Sequence, residues 1–166
     1  MELHMHTPHM THQWPDWRAA VMSGVGAGVV FLVLETVLVM AIMGASPWTL
    51  PRMMAAIILG PEVLTPPVTF EPGIFSAAMG VHFVLAIILG AILAAIITAF
   101  KLDASHGMVL ATGVVFGLLV YLINFYGMTA FFSWFAEARG GITLFSHLVF
   151  GATAAEMYKK LERTKV

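Results

Sequence analysis

The 166-residue sequence contains no cysteine. That removes disulfide frameworks, iron–sulfur ligation, c-type haem attachment and thiol chemistry. Charge is scarce as well: Asp, Glu, Lys and Arg make up 10% of the chain, against about 25% in a soluble domain. With 8 basic and 9 acidic residues, the chain lacks the basic surface that holds nucleic acid. Alternating strand patterns are missing, so a transmembrane barrel is not expected. No cleavable signal peptide is expected either, because the first apolar run is too long for one and carries Glu35. What the chain has in abundance is apolar surface: 60% of residues are hydrophobic and the mean hydropathy is +0.91. These values describe an integral membrane protein and exclude a soluble or disordered chain.

Crossing the hydrocarbon takes about 20 mostly apolar residues. Segments 19–44, 74–100, 107–129 and 141–158 meet this requirement. The expected fold is all-α, an integral membrane four-helix antiparallel bundle. Residues 1–18 form a His/Met-rich cytoplasmic tail, 19–158 the transmembrane domain, and 159–166 a basic cytoplasmic C-terminus. Basic residues set the orientation. Arg18, Lys101, Lys159, Lys160, Arg163 and Lys165 fall on one side, and Arg52 and Arg139 on the other. Both termini are therefore expected in the cytoplasm. Trp14 and Trp17 then mark the inner interface, and Phe131, Phe132, Trp134 and Phe135 the outer one.

The first outer loop, 45–73, holds six of the eight prolines. Pro51 at a helix start and Gly60-Pro61 at its end predict a short interfacial helix over 51–60, followed by an extended segment to Pro72. It caps the bundle in the plainer reading. In the functional reading it is a lid or a docking surface.

Strongly polar residues inside the spans are few: Glu35, His82, Asn124 and His147. At 1.5 Å per residue they lie about 13, 12, 7 and 9 Å from the outer ends of their helices. All four therefore share one outer layer, with Tyr126 as a further candidate. Helical spacing places each on a stripe of small residues: Gly24, Gly28 and Glu35; His82, Ala86, Gly90 and Ala94; Gly113, Gly117, Tyr121 and Asn124; His147, Gly151 and Ala155. Small residues let helices approach closely, so tight packing is expected inside and a wider polar layer outside. A faint repeat, Gly28-Val-Val-Phe31 with Gly113-Val-Val-Phe116 and His82 with His147, suggests a two-plus-two plan.

Three readings of the layer follow. Glu, His and Asn can bond one another and fix the register of the helices, at about 0.6–2 kcal/mol per bond. Glu35, His82 and His147 can instead ligate a divalent metal, or the two histidines a b-type haem, although no ligand-spacing motif such as HExxH is present. A Glu35–histidine–water chain can relay protons. The tail residues His4, His6, His9 and His12, interleaved with methionines, form a second candidate metal site or a plain solvated tail. Arg52, Glu62, Glu137 and Arg139 are candidates for outer-loop docking or salt bridges. Exposed, Glu137 and Arg139 are a weak local pair; buried against Arg52 and Glu62, they lock the two loops together.

The set Pro51-Arg52-Met53, Gly60-Pro61, Leu64, Pro66-Pro67, His82, Asn124-Phe125-Tyr126, Trp134 to Arg139 and His147 resembles a family of small four-span bacterial inner-membrane proteins. Some members carry the label "sodium:proline symporter". The resemblance runs from about Gly24 to Tyr158 and leaves out the tail. It implies a bacterial inner-membrane location and no established activity. The expected function is that of a non-catalytic accessory or assembly subunit, in contact with the lipid bilayer and with other membrane subunits or further copies of itself. A metal- or haem-binding protein is the alternative, and a small ion or proton permease the third reading.

Overall fold

The first helix starts where Asp16 can cap it. The Asp16 carboxylate accepts from the N–H groups of Arg18 and Ala19 at 3.1 Å, satisfying donors that a helix start leaves bare. In the computed structural model, which describes residues 14–162, this helix, α1, runs Trp17–Met43 and stops at Gly44 with φ 62°, the left-handed stop that glycine tolerates best. The tail residues His4, His6, His9 and His12, and with them Arg163 and Lys165, lie outside the described residues. Helix α2 is Thr49–Leu59, α3 Pro72–Phe100, α4 His106–Leu122 and α5 Gly141–Leu161. Pro72 opens α3 and Ser105 caps α4 through the Met108 N–H. No strand occurs among the described residues.

Three helical stretches are long and apolar enough to cross a membrane: Trp17–Met43, Pro72–Phe100 and His106–Ala130. The third is not α-helical throughout. After Leu122 it passes into a π turn, Ile123–Gly127, and a 3-10 turn, Met128–Ala130. Helix α5 falls short of the same measure because polar residues, chiefly His147 and Glu156 with Lys159 and Lys160 at its end, dilute its apolar character.

Both described ends meet at one end of the bundle, where the Asp16 N–H donates to the Tyr158 hydroxyl at 3.2 Å. The short helix α2 caps the opposite end. Helix α1 packs on α3 and on α5, and α5 packs on α4. Consecutive helices α3 and α4 barely touch. The four long helices thus form an arc, α3–α1–α5–α4, with a gap between its ends. Small residues set the close approaches in it. A Cβ on Gly90 would lie 2.7 Å from the Gly24 Cα, and one on Gly113 would lie 2.9 Å from the Ala152 Cα. The predicted stripes are buried, apart from Asn124.

Candidate functional site

The gap between α3 and α4 is a cleft of about 700 Å³. Helices α2 and α3 supply an aliphatic and methionine wall that includes Met53, Met54, Ile57, Val81, Leu85 and Ile88. The facing wall carries aromatic rings: Phe31 from α1, Phe150 from α5, Phe125 from the π turn, and Phe132 and Phe135 from the loop after it. These rings touch in sequence. Phe31 meets Phe150 at 6.3 Å between centroids, and the His147 ring bridges Phe31 to Phe125 at 4.8 and 5.5 Å. Phe125 then meets Phe135 at 5.9 Å.

The polar groups of the cleft come from the expected layer. Glu35 is 2% exposed. Its Oε1 accepts from the Thr143 hydroxyl at 2.8 Å. Its Oε2 is buried without a hydrogen-bond partner among the described residues. His82 donates from Nε2 to the Gly28 carbonyl at 2.9 Å and stacks on Phe31. His147 donates from Nδ1 to the Thr143 carbonyl at 2.7 Å, so its Nε2 is the acceptor of the neutral ring. Asn124 lines the cleft from the π turn, a kind of distortion frequent at functional sites.

Glu35, His82, Asn124 and His147 therefore line one cleft, as the depth argument expects. They do not bond one another, because each imidazole is held by a backbone carbonyl. Among the described residues no group of three or more His, Asp or Glu side chains is placed to hold a metal ion, and that includes Glu35, His82 and His147. Tyr126 is not part of the layer. It is 58% exposed, with the Arg139 guanidinium 4.6 Å above its ring. Thr143 was not singled out from the sequence, yet it joins Glu35 to His147. Its signal is its spacing, four residues before His147 on the same face. Ser146 is also buried, and its Oγ has no hydrogen-bond partner among the described residues.

The outer-loop candidates pair differently from either arrangement expected of them. Arg52 is buried and bonds within its own loop, donating to the Val63 and Thr69 carbonyls and to Glu71 at 2.6 Å. Glu62 and Glu137 are exposed. Arg139 donates to the Phe125 carbonyl at 2.6 Å and to Thr129 at 3.0 Å. The two loops are joined by Trp134, whose indole N–H donates to the Met53 carbonyl at 3.1 Å. The expected outer aromatic belt is also reassigned: Phe131 is exposed, whereas Phe132 and Phe135 line the cleft.

Comparison with protein-family models, curated proteins and solved structures gives no match for this chain.

Proposed function

We propose that the protein is a four-span membrane protein that binds a bilayer-soluble molecule in the α3/α4 cleft, with Glu35 as its polar anchor and no catalytic step. Helix α5 is the fourth span. Its 21 residues reach about 31 Å, enough for the hydrocarbon core. Its Thr143, Ser146 and His147 are buried against protein, where polar groups of a membrane helix belong. Arg18, Lys101, Lys159 and Lys160 lie toward the end with both described termini, which on the positive-inside rule faces the cytoplasm. The family resemblance supports a bacterial inner membrane.

One observation carries the binding reading: Glu35, whose Oε2 is buried with no hydrogen-bond partner among the described residues, lines a cleft whose walls are mostly apolar. A layer that served only to fix helix register would use both oxygens, since an unpaired buried acceptor or donor costs about 1–3 kcal/mol. Ligand sites combine apolar walls with a few such placed polar groups. The cleft walls include Ile58, Val84 and Ile123, which are also exposed on the molecular surface, so a bilayer-soluble molecule has an entrance from the side.

The test is extraction and mass spectrometry of molecules that co-purify from native membranes. The outcome expected is one apolar species near one per chain, lost in Gly80→Phe. Gly80 lines the cleft and its Cβ position has no atom within 4 Å, so a large side chain there can obstruct the cleft without displacing backbone. A chain that carries no such species, in mild detergent and in nanodiscs, refutes the proposal. An accessory role in a larger complex is compatible with binding of this kind, and stoichiometric co-purifying subunits are its measure.

A further inference from the structure

We infer that the molecule bound is of the quinone class: a flat ring with carbonyl or hydroxyl oxygens on an aliphatic tail. The inference rests on the binding proposed above and names its ligand. The two walls differ in kind. One is a run of touching aromatic rings reaching from Phe31 through His147 to Phe125 and Phe135. The other is aliphatic side chains from α2 and α3. A flat ring gains from stacked or edge contacts with the first, and a tail from burial on the second.

The polar groups narrow the class further. Glu35 Oε2 has no hydrogen-bond partner among the described residues. A ring carbonyl accepts from it if it carries a proton, and a ring hydroxyl donates to it if it does not. Oxidised and reduced rings of this class therefore both satisfy it. Asn124 lines the same cleft, and the acceptor Nε2 of His147 belongs to a ring that also lines it. A ring with oxygens on two edges can meet more than one of these groups. A fatty-acyl ester suits them less. Its carbonyl sits beside a headgroup that must stay in water, whereas Glu35 lies eight residues inside the end of α1 at Met43, about 12 Å along the helix.

Decylubiquinone is the probe, titrated into the purified full-length protein in detergent and read by quenching of tryptophan fluorescence. Trp134 reports locally, since its ring packs 5.4 Å from Phe132 and 6.1 Å from Phe135, both in the cleft wall. Saturable quenching is expected in the wild type. Kd should rise at least tenfold in Glu35→Leu, which has no hydrogen bond to offer, and stay within a few-fold in Glu35→Gln, which has one. Gly80→Phe should weaken binding as much as Glu35→Leu, and it keeps the test available if Glu35→Leu does not fold. Equal affinity in wild type and in both of these variants overturns the inference. So does a co-purified acyl lipid, lost in Gly80→Phe, that decylubiquinone does not displace; the cleft then binds, but not this class. If no apolar molecule is found in the cleft at all, both readings fall.

Discussion

Replacing Gly151 by alanine should break the α4/α5 contact, while the same change at Gly80 should not. The Gly151 Cβ would lie 2.8 Å from the Gly117 nitrogen and closer still to the Gly113 carbonyl. Both neighbours are backbone, so no side chain can rotate away. Ordinary contact begins near 3.4 Å, and the helices must part locally by at least the difference. Over-packing of this kind costs about 1–3 kcal/mol, and a clash between backbones belongs at the upper end. Alanine returns about 0.5–1 kcal/mol through its better helix propensity. The net loss is about 2 kcal/mol, roughly a thirtyfold shift in the folding equilibrium. Gly80 has no atom within 4 Å of its Cβ position and keeps only the propensity gain. Unfolding in bicelles, followed by steric trapping, compares the two variants with the wild type. The reasoning is refuted if Gly151→Ala matches the wild type within about 0.5 kcal/mol, or if both variants lose stability alike.

Thr143→Val should destabilise the bundle by about 1–3 kcal/mol in the same assay, because it leaves both Glu35 oxygens unpartnered. Arg52→Ala should speed amide hydrogen exchange across 61–71 at least tenfold, since the Val63 and Thr69 carbonyls and Glu71 lose their common donor. Trp134→Phe should cost about 1 kcal/mol and loosen the tie to α2 at Met53. Burial, then the Asp103 carboxylate, holds the Glu162 carboxyl above its ordinary value. The folded state therefore binds that proton more tightly than the unfolded one, and stability falls as pH rises through the window above about pH 4. Glu162→Gln should melt slightly higher than the wild type at pH 7 and lose that advantage below the window.

The small-residue stripes were legible in the sequence because spacing and size act together. Gly24, Gly90, Gly113 and Gly151 recur at helical intervals, and each proves to be a point where backbones nearly touch. The depth of the polar layer was legible for the same reason, since rise per residue is fixed. Partner choice was not. Arg52 stands within reach of Glu62 and Glu71 in one loop, and only the path of residues 61–71 decides for Glu71. Tyr126 follows Asn124 by two residues, which sets it on another side of the turn, where it is exposed. Phe132 and Phe135 look like interface aromatics by composition, yet the loop folds them inward over the cleft. Helix α5 is the case where segment length and apolar character disagree. Of the polar residues that lower its apolar character, Thr143, Ser146 and His147 are buried, whereas Lys160 is exposed.

The open arc itself follows from where the small residues lie. Helices α1 and α3 close on Gly24 and Gly90, and α4 and α5 close on Gly113, Gly117 and Gly151. Each tight pair therefore uses up its glycine face within the pair. Helices α1 and α5 join the pairs, with Gly26 against Met157 and Glu35 against Thr143. Nothing equivalent remains to draw α3 onto α4, although only residues 101–105 separate them in the chain. Toward the α2 end the wedge is completed by Phe31, Phe125 and Phe150, whose rings fill the space around His147. The gap is thus a consequence of packing two close pairs side by side, and Glu35, on the central helix α1, is the acidic side chain left lining it.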